Sequence, residues 1–350
     1  MLKLRRGVVT GTNPLRVRIG DQQRAAWADE SLVGEVHEGD ELILNTEARD
    51  LGLGSGGFDV VHVNLTRGLD AAGAGEATAL KLNYTSLQHP VEPVEARESD
   101  GIARRIPVLV LSLHGQLAPA AWAAGHASPG QRVGYIQTSG GALPGALSED
   151  VVQLRSAGLL CEHLTAGPAY GGELEALTVI GALQAAAGPL GWDAVIAGPG
   201  PGIVGSDSEL GHGGMEALDT AHASLILGLE TLIAPRMSSA DPRTRHRGLS
   251  HHTATVLRML LGNVTVPVPA RNQEPWPQVG GGDGSFAELR NARGDRHEIW
   301  PREAPVDEYA ESGLATTHMG RKIAEDRLFF ATSLAAGNAL AEAMVTELAA

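Results

Sequence analysis

The densest collection of chemically capable side chains lies in Ser238-Ser239-Ala240-Asp241-Pro242-Arg243-Thr244-Arg245-His246-Arg247-Gly248-Leu249-Ser250-His251-His252-Thr253. Arg243, Arg245 and Arg247 alternate, so an extended loop puts their guanidiniums on one face, where paired N–H donors can clamp an oxyanion. Ser250 has the character of a helix N-cap, which places His251 and His252 in the first helical turn. The positive end of the helix dipole disfavours imidazolium there, so both rings should be neutral, the form that ligates a metal or accepts a proton. A divalent cation can be assembled from this set, with Asp207, His212, Asp241 and His246 as ligands. Acid–base work is then expected from Asp241, His246, His251 and His252. Adjacent histidines diverge by about 100° around a helix, so one ion is not expected to take both His251 and His252. The spacing matches no defined metal motif.

Three other loops carry polar or glycine-rich chemistry. Ser112-Leu113-His114-Gly115-Gln116 is one, Gln137-Thr138-Ser139-Gly140-Gly141-Ala142 is the second, and the run from Gly198 through Gly200, Gly202 and His212 to Gly214 is the third. Glycine lets backbone N–H groups approach a ligand, and a following helix N-terminus favours an anion, so Ser139, Gly140, Gly200 and Gly202 are candidate anion contacts beside Arg243 and Arg245. The plainer alternative is that these glycines only make tight turns. Neither loop is a P-loop or a dinucleotide fingerprint. Ser139 sits at a strand-to-helix turn and His114-Gly115 has an oxyanion-loop flavour, but the nucleophile elbow GxSxG is absent. His222 shares a helical stripe with Leu218 and Leu225 and reads as a core histidine.

These loops need elements to bring them together. From residue 106 apolar strands alternate with helical segments, which predicts an α/β domain with a mostly parallel sheet flanked by helices. The expected strands are 106–113, 132–138, 159–165, 192–198, 231–237 and 263–268, with Ser148 and Ser250 capping two of the helices and 326–348 forming a terminal one. Ligands of such sheets bind at the carboxyl ends of strands, where all four loops would converge. Residues 269–313, with Trp276, Trp300 and a glycine run at 280–284, break the rhythm and read as a long excursion with a hairpin, suited to a lid. Residues 1–90 carry short β-branched runs, with Leu15, Val17 and Ile19 facing one way, Arg16 and Arg18 the other, and Leu80, Leu82 and Tyr84 repeating the pattern. A small β-barrel or sandwich is expected there, joined by a linker at 91–105.

Composition sets the bounds. At 350 residues and 43% apolar content, two domains with packed cores are expected, and 45 glycines with 19 prolines supply many turns. A formal charge of −14 argues against nucleic-acid polymers or anionic membranes as partners and leaves small anionic molecules. Cys161 is the sole cysteine and reads as a buried small hydrophobe, which fits a reducing, cytoplasmic setting. The basic start, Met1 to Arg6, leads into no apolar h-region, and the apolar run 106–113 is far short of the roughly 18 residues a membrane helix requires. Homo-oligomerisation is left open.

Ala197-Gly198-Pro199-Gly200-Pro201-Gly202-Ile203-Val204-Gly205, Ala240-Asp241-Pro242-Arg243, His246-Arg247-Gly248-Leu249-Ser250-His251-His252-Thr253 and Met319-Gly320-Arg321 together resemble a bacterial family labelled domain of unknown function 3866. The resemblance runs along nearly the whole chain and implies no activity, cofactor or catalytic residue. The residues themselves lead to the expectation of a hydrolase or transferase, with a divalent metal as an option, acting on a small anionic ligand such as a phosphorylated metabolite or nucleotide. The alternative is a non-catalytic metabolite sensor or assembly subunit.

Overall fold

The structure is a computed structural model describing residues 1–53, 56–69, 73, 77–97, 102–206, 208–270 and 296–349. The chain divides into two compact units, Met1–Glu92 and Pro93–Ala350.

In the first unit, β1 (Leu4–Thr12), β2 (Leu15–Ile19), β3 (Gln22–Trp27), β4 (Glu41–Asn45) and β5 (Asp59–Asn64) close a barrel in the order β1-β2-β3-β5-β4. All pairings are antiparallel except β3 with β5. Val9, Val17, Leu42, Leu44 and Val61 fill the interior, while Arg16 and Arg18 face outward, as the alternation on β2 requires. Short helices α1 (Glu30–Val33) and α2 (Glu47–Asp50) occupy the connections. β3 is illegible in the sequence because Gln22-Gln23-Arg24-Ala25-Ala26-Trp27 has no apolar alternation, and its neighbours supply its place in the barrel. The pair β6 (Ala79–Lys81) and β7 (His89–Val91) corrects another expectation. Leu82 and Tyr84 have positive φ, which ends the strand, and Leu80 and Tyr84 are exposed while Lys81 is buried.

The second unit carries an eight-stranded, wholly parallel sheet of β8 (Pro107–Leu111), β9 (Val133–Thr138), β10 (His163–Ala166), β11 (Leu174–Ala176), β12 (Ala194–Pro199), β13 (Glu230–Ala234), β16 (Thr265–Pro269) and β17 (Glu298–Arg302). The short pair β14 (Met237–Ser238) and β15 (Gly248–Leu249) lies apart from it, as does the pair β18 (Thr317–His318) and β19 (Arg321–Lys322). The sheet order is β11-β10-β9-β12-β8-β13-β16-β17. The chain moves outward from β8 through β9, β10 and β11, returns to insert β12 between β9 and β8, then builds the other wing, so strand order reverses around β8 and β12.

The sheet is covered on both sides, which is why its central strands read as unbroken apolar runs. Val108 and Val110 of β8 pack with α5 (Val179–Ala187), α6 (Glu216–Ile226) and α7 (His251–Met259). Leu109 and Leu111 pack with α3 (Leu117–Ala127), α4 (Glu149–Ser156) and the long terminal helix, here called α9 (Arg327–Ala349). Within α9 the stretch Arg327–Val345 has the length and hydropathy of a membrane span, yet 83% of it is buried. Its apolar faces pack on α3 and on the sheet.

Three strand expectations shift. β10 begins at His163 because Leu159 and Leu160 close the end of α4, both donating their N–H groups to the Leu154 carbonyl. β11, only three residues long, had no legible pattern. Residues 298–302 lie not in an excursion but in the sheet, as its parallel edge strand β17, where Pro301 is tolerated, and α8 (Val306–Ala310) follows. Trp276 and the glycine run at 280–284, proposed as part of a lid, lie outside the described residues.

Candidate functional site

Four imidazoles gather where the β12 loop meets the start of α7. Ser250 caps that helix, its Oγ accepting the His252 N–H, and it shares a 2.7 Å hydrogen bond with His246 Nδ1. His251 and His252 therefore begin the helix, as the cap predicts. His212 enters from the end of the β12 loop and stacks on His252 with ring centroids 3.6 Å apart and planes 13° from parallel. His246 lies 4.9 Å from both His251 and His252, which are 4.4 Å from each other.

The hydrogen bonds choose the tautomer at His212. Its Nε2–H donates to the Glu209 carbonyl at 2.9 Å, leaving Nδ1 as a bare acceptor. His212 Nδ1, His251 Nε2 and His252 Nδ1 are buried and have no hydrogen-bond partner. His212, His251 and His252 each offer one nitrogen, and these three lie within 4.8 Å of one another. Gly214 makes room: a Cβ there would stand 3.1 Å from Nδ1 of both His212 and His252. His251 and His252, expected to diverge, are both met by a third ring from the facing loop.

All four rings are held neutral. Burial, reinforced by neighbouring histidines and Arg236, pushes His252 down to about 2. Burial, with Arg236 and Arg243, takes His246 down to about 3. His212 and His251 are lowered as well, mainly by burial, with Arg236 and Arg245 adding positive potential.

Asp241 is placed in a different role. Burial alone would raise its carboxyl, but the hydrogen bonds and charges of Arg243 and Arg236 outweigh that and hold it well below the usual carboxylate range. Arg243 donates from Nε and from a terminal nitrogen, each at 3.0 Å, Arg236 reaches it at 3.2 Å and Arg321 at 3.5 Å. Every side of this carboxylate is engaged, so it anchors arginines instead of joining the imidazoles. The chain at Thr244–His246 is a tight 3-10 turn, not an extended loop, which separates the arginines expected on one face. Arg243 holds the Asp241 carboxylate, Arg247 donates to the Asp241 carbonyl, and Arg245 is exposed. Asp207 lies outside the described residues.

The glycine loops serve each other. A Cβ on Gly140 would collide with the Gly213 carbonyl, and one on Gly200 with the Ala142 carbonyl. Backbone bonds run from Ala142 N to Pro201 O (2.7 Å) and from Val204 N to Gly140 O (3.1 Å). Gly140 and Gly200 thus permit two main chains to touch, and Gly202 supplies a positive-φ turn. Ser139 makes no hydrogen bond to a histidine among the described residues. His114 lies in a separate buried network, with Nε2 2.8 Å from Ser148 Oγ and Nδ1 3.2 Å from the Pro199 carbonyl, and burial lowers its pKa despite Asp150 nearby.

Sequence reasoning missed Arg236, Asp326 and His318, and named Ser112 only as part of the polar loop after the first strand of the second unit. Arg236 is buried at the end of β13, and burial brings it down to about 10 against the pull of Asp241. Asp326 accepts from Ser238 Oγ (2.6 Å), Ser239 N (3.0 Å) and Arg321 Nε (3.1 Å). Met319 sulfur lies 3.7 Å from both Arg236 and Arg243. Met319 and Arg321 of the run Met319-Gly320-Arg321, which carried the family resemblance, lie in this second layer.

No curated protein and no solved structure matches the chain. Residues 25–337 match the family described as protein of unknown function (DUF3866), and the chain belongs to that family.

Proposed function

We propose that the chain is a metal-assisted hydrolase or group-transfer enzyme acting on a small anionic substrate, with a divalent cation held by His212, His251 and His252. One observation carries this reading: three neutral imidazoles offer nitrogens within 4.8 Å, and each ring has a buried nitrogen without a partner. Leaving such atoms unsatisfied costs about 1–3 kcal/mol each, so a ligand for all three is favoured. Nitrogen donors suit zinc and its neighbours, and three protein ligands leave a fourth position for water, whose pKa such an ion brings to about 7. Neutral rings at physiological pH need no proton displaced before they bind. His246, a fourth ring packed on His251 and His252 and bonded to Ser250, is the candidate for proton transfer in this reading. The arginine-rich surroundings favour an anionic substrate.

Elemental analysis of the purified protein tests this. One zinc-like ion per chain, lost in His251→Ala/His252→Ala together with hydrolysis of p-nitrophenyl phosphate, is the expected result. Wild-type protein that takes up no divalent ion would overturn it. Stoichiometric metal with no turnover of any phosphoester or carboxylic ester would favour a metabolite sensor instead.

A further inference from the structure

Beside the imidazoles, a second set of polar atoms is buried without partners: Arg236 Nε, Ser112 Oγ and His318 Nε2. The residues are 2%, 0% and 9% exposed, so none satisfies these atoms at the surface. The segments that carry them meet at the carboxyl ends of β8 and β13. Leu111 of β8 pairs with Ala234 of β13, so Ser112 and Pro235 leave adjacent strands side by side, with Arg236 next. Gln116 stitches the two exits together, its Oε1 accepting the Ser112 and Leu113 N–H groups at 3.2 Å. Its Nε2 donates to the carbonyls of Ala234 (3.4 Å) and Pro235 (3.3 Å). His318 stacks on Phe329 at 3.8 Å and sits against the bare α-carbon of Gly115, and its neighbour Met319 touches Arg236.

Charge favours an anion there. Among the described residues Arg236, Arg243 and Arg321 form ion pairs with Asp241 and Asp326, and Arg236, its side chain 3% exposed, shares Asp241 with both of the others. A buried guanidinium is normally balanced, and a carboxylate shared three ways balances this one only in part. A guanidinium N–H, a hydroxyl and an imidazole that donates from Nε2 in one of its two neutral tautomers can form a donor set with one cationic member, which suits the oxygens of a phosphoryl group.

We propose that Arg236, Ser112 and His318 form an oxyanion subsite at the carboxyl ends of β8 and β13 that takes the phosphoryl group of a substrate. The binding stands on these residues alone; its use in catalysis rests on the metal-assisted reading above. Arg243 and Arg321, tied to Asp241, hold the walls of the subsite.

Calorimetric titration of the full-length, EDTA-treated protein with inorganic phosphate tests the proposal. Wild type should bind. Arg236→Lys, which removes the Nε–H, should weaken binding about tenfold or more. Ser112→Ala and His318→Phe, the latter keeping the stack on Phe329, should each weaken it about fivefold. His251→Ala/His252→Ala should bind phosphate as wild type does while failing to take up zinc, and wild type that binds phosphate but takes up no zinc when titrated with it would overturn the metal centre alone. Should Arg236→Lys not fold, Ser112→Ala and His318→Phe decide the matter. The proposal is overturned by wild type that shows no heat with phosphate at about 10 mM, by affinities in both of those variants within twofold of wild type, or by acetate binding as tightly as phosphate.

Discussion

Asp241→Asn isolates what the arginine cluster contributes. Asparagine keeps the shape and one acceptor oxygen but removes the only charge shared by Arg243 at 3.0 Å, Arg236 at 3.2 Å and Arg321 at 3.5 Å. Asp241 is fully buried and the Arg236 side chain is 3% exposed, so water cannot replace the lost charge at either. Removing one partner from such a buried pair costs about 3–5 kcal/mol. In a unit of this size that corresponds to a fall of roughly 6–20 °C in melting temperature. Arg243→Gln acts on a side chain 40% exposed, and solvent screening limits its cost to about 1 kcal/mol. The assay is urea unfolding followed by circular dichroism, with Arg243→Gln added to the Asp241→Asn background. That second change removes a cation that has lost its carboxylate and repels Arg236, so it should cost less there than in wild type. The reasoning is refuted if Asp241→Asn costs less than Arg243→Gln, or if Arg243→Gln costs more in the Asp241→Asn protein than in wild type.

Two further outcomes follow from the imidazoles. His246 and His252 are held at about 3 and about 2, against an unfolded value near 6.5, so the unfolded chain binds protons that the folded chain refuses. Stability is then fully present above pH 6.5 and lost as pH falls toward the folded values. In EDTA the protein should lose roughly 2 kcal/mol between pH 7 and pH 5 from this pair after allowance for screening, and a denaturation midpoint that rises on acidification would contradict it. Gly214→Ala places a methyl 3.1 Å from Nδ1 of His212 and of His252, so zinc affinity should fall about tenfold or more with little change in thermal stability. Unchanged zinc titration would place the ion elsewhere.

The sheet was legible where burial on both faces forced continuous apolar runs, as in β8, β9 and β12, and illegible where strands were short or at an edge, as in β11 and β17. The caps Ser148 and Ser250 could be read because their chemistry is local to the first turn of a helix. The roles within the Arg/His stretch could not, since they depend on partners far along the chain. Asp241 resembles a ligand until Arg236 and Arg321 close on it, and His212 becomes a member of the cluster only when the β12 loop folds onto α7. That Gly140 and Gly200 let two loops touch main chain to main chain is visible only once both loops are in place.

The sheet order also bears on folding kinetics. His212 follows β12 while His251 and His252 follow β13, and these strands lie on either side of β8 without touching each other. The three rings can meet only after both have docked on β8, through parallel pairings between segments far apart in sequence, which are slow to form. The histidine cluster is therefore expected to assemble late, and zinc uptake at the proposed centre during refolding should lag behind the burial of Trp192 and Tyr135 in the core.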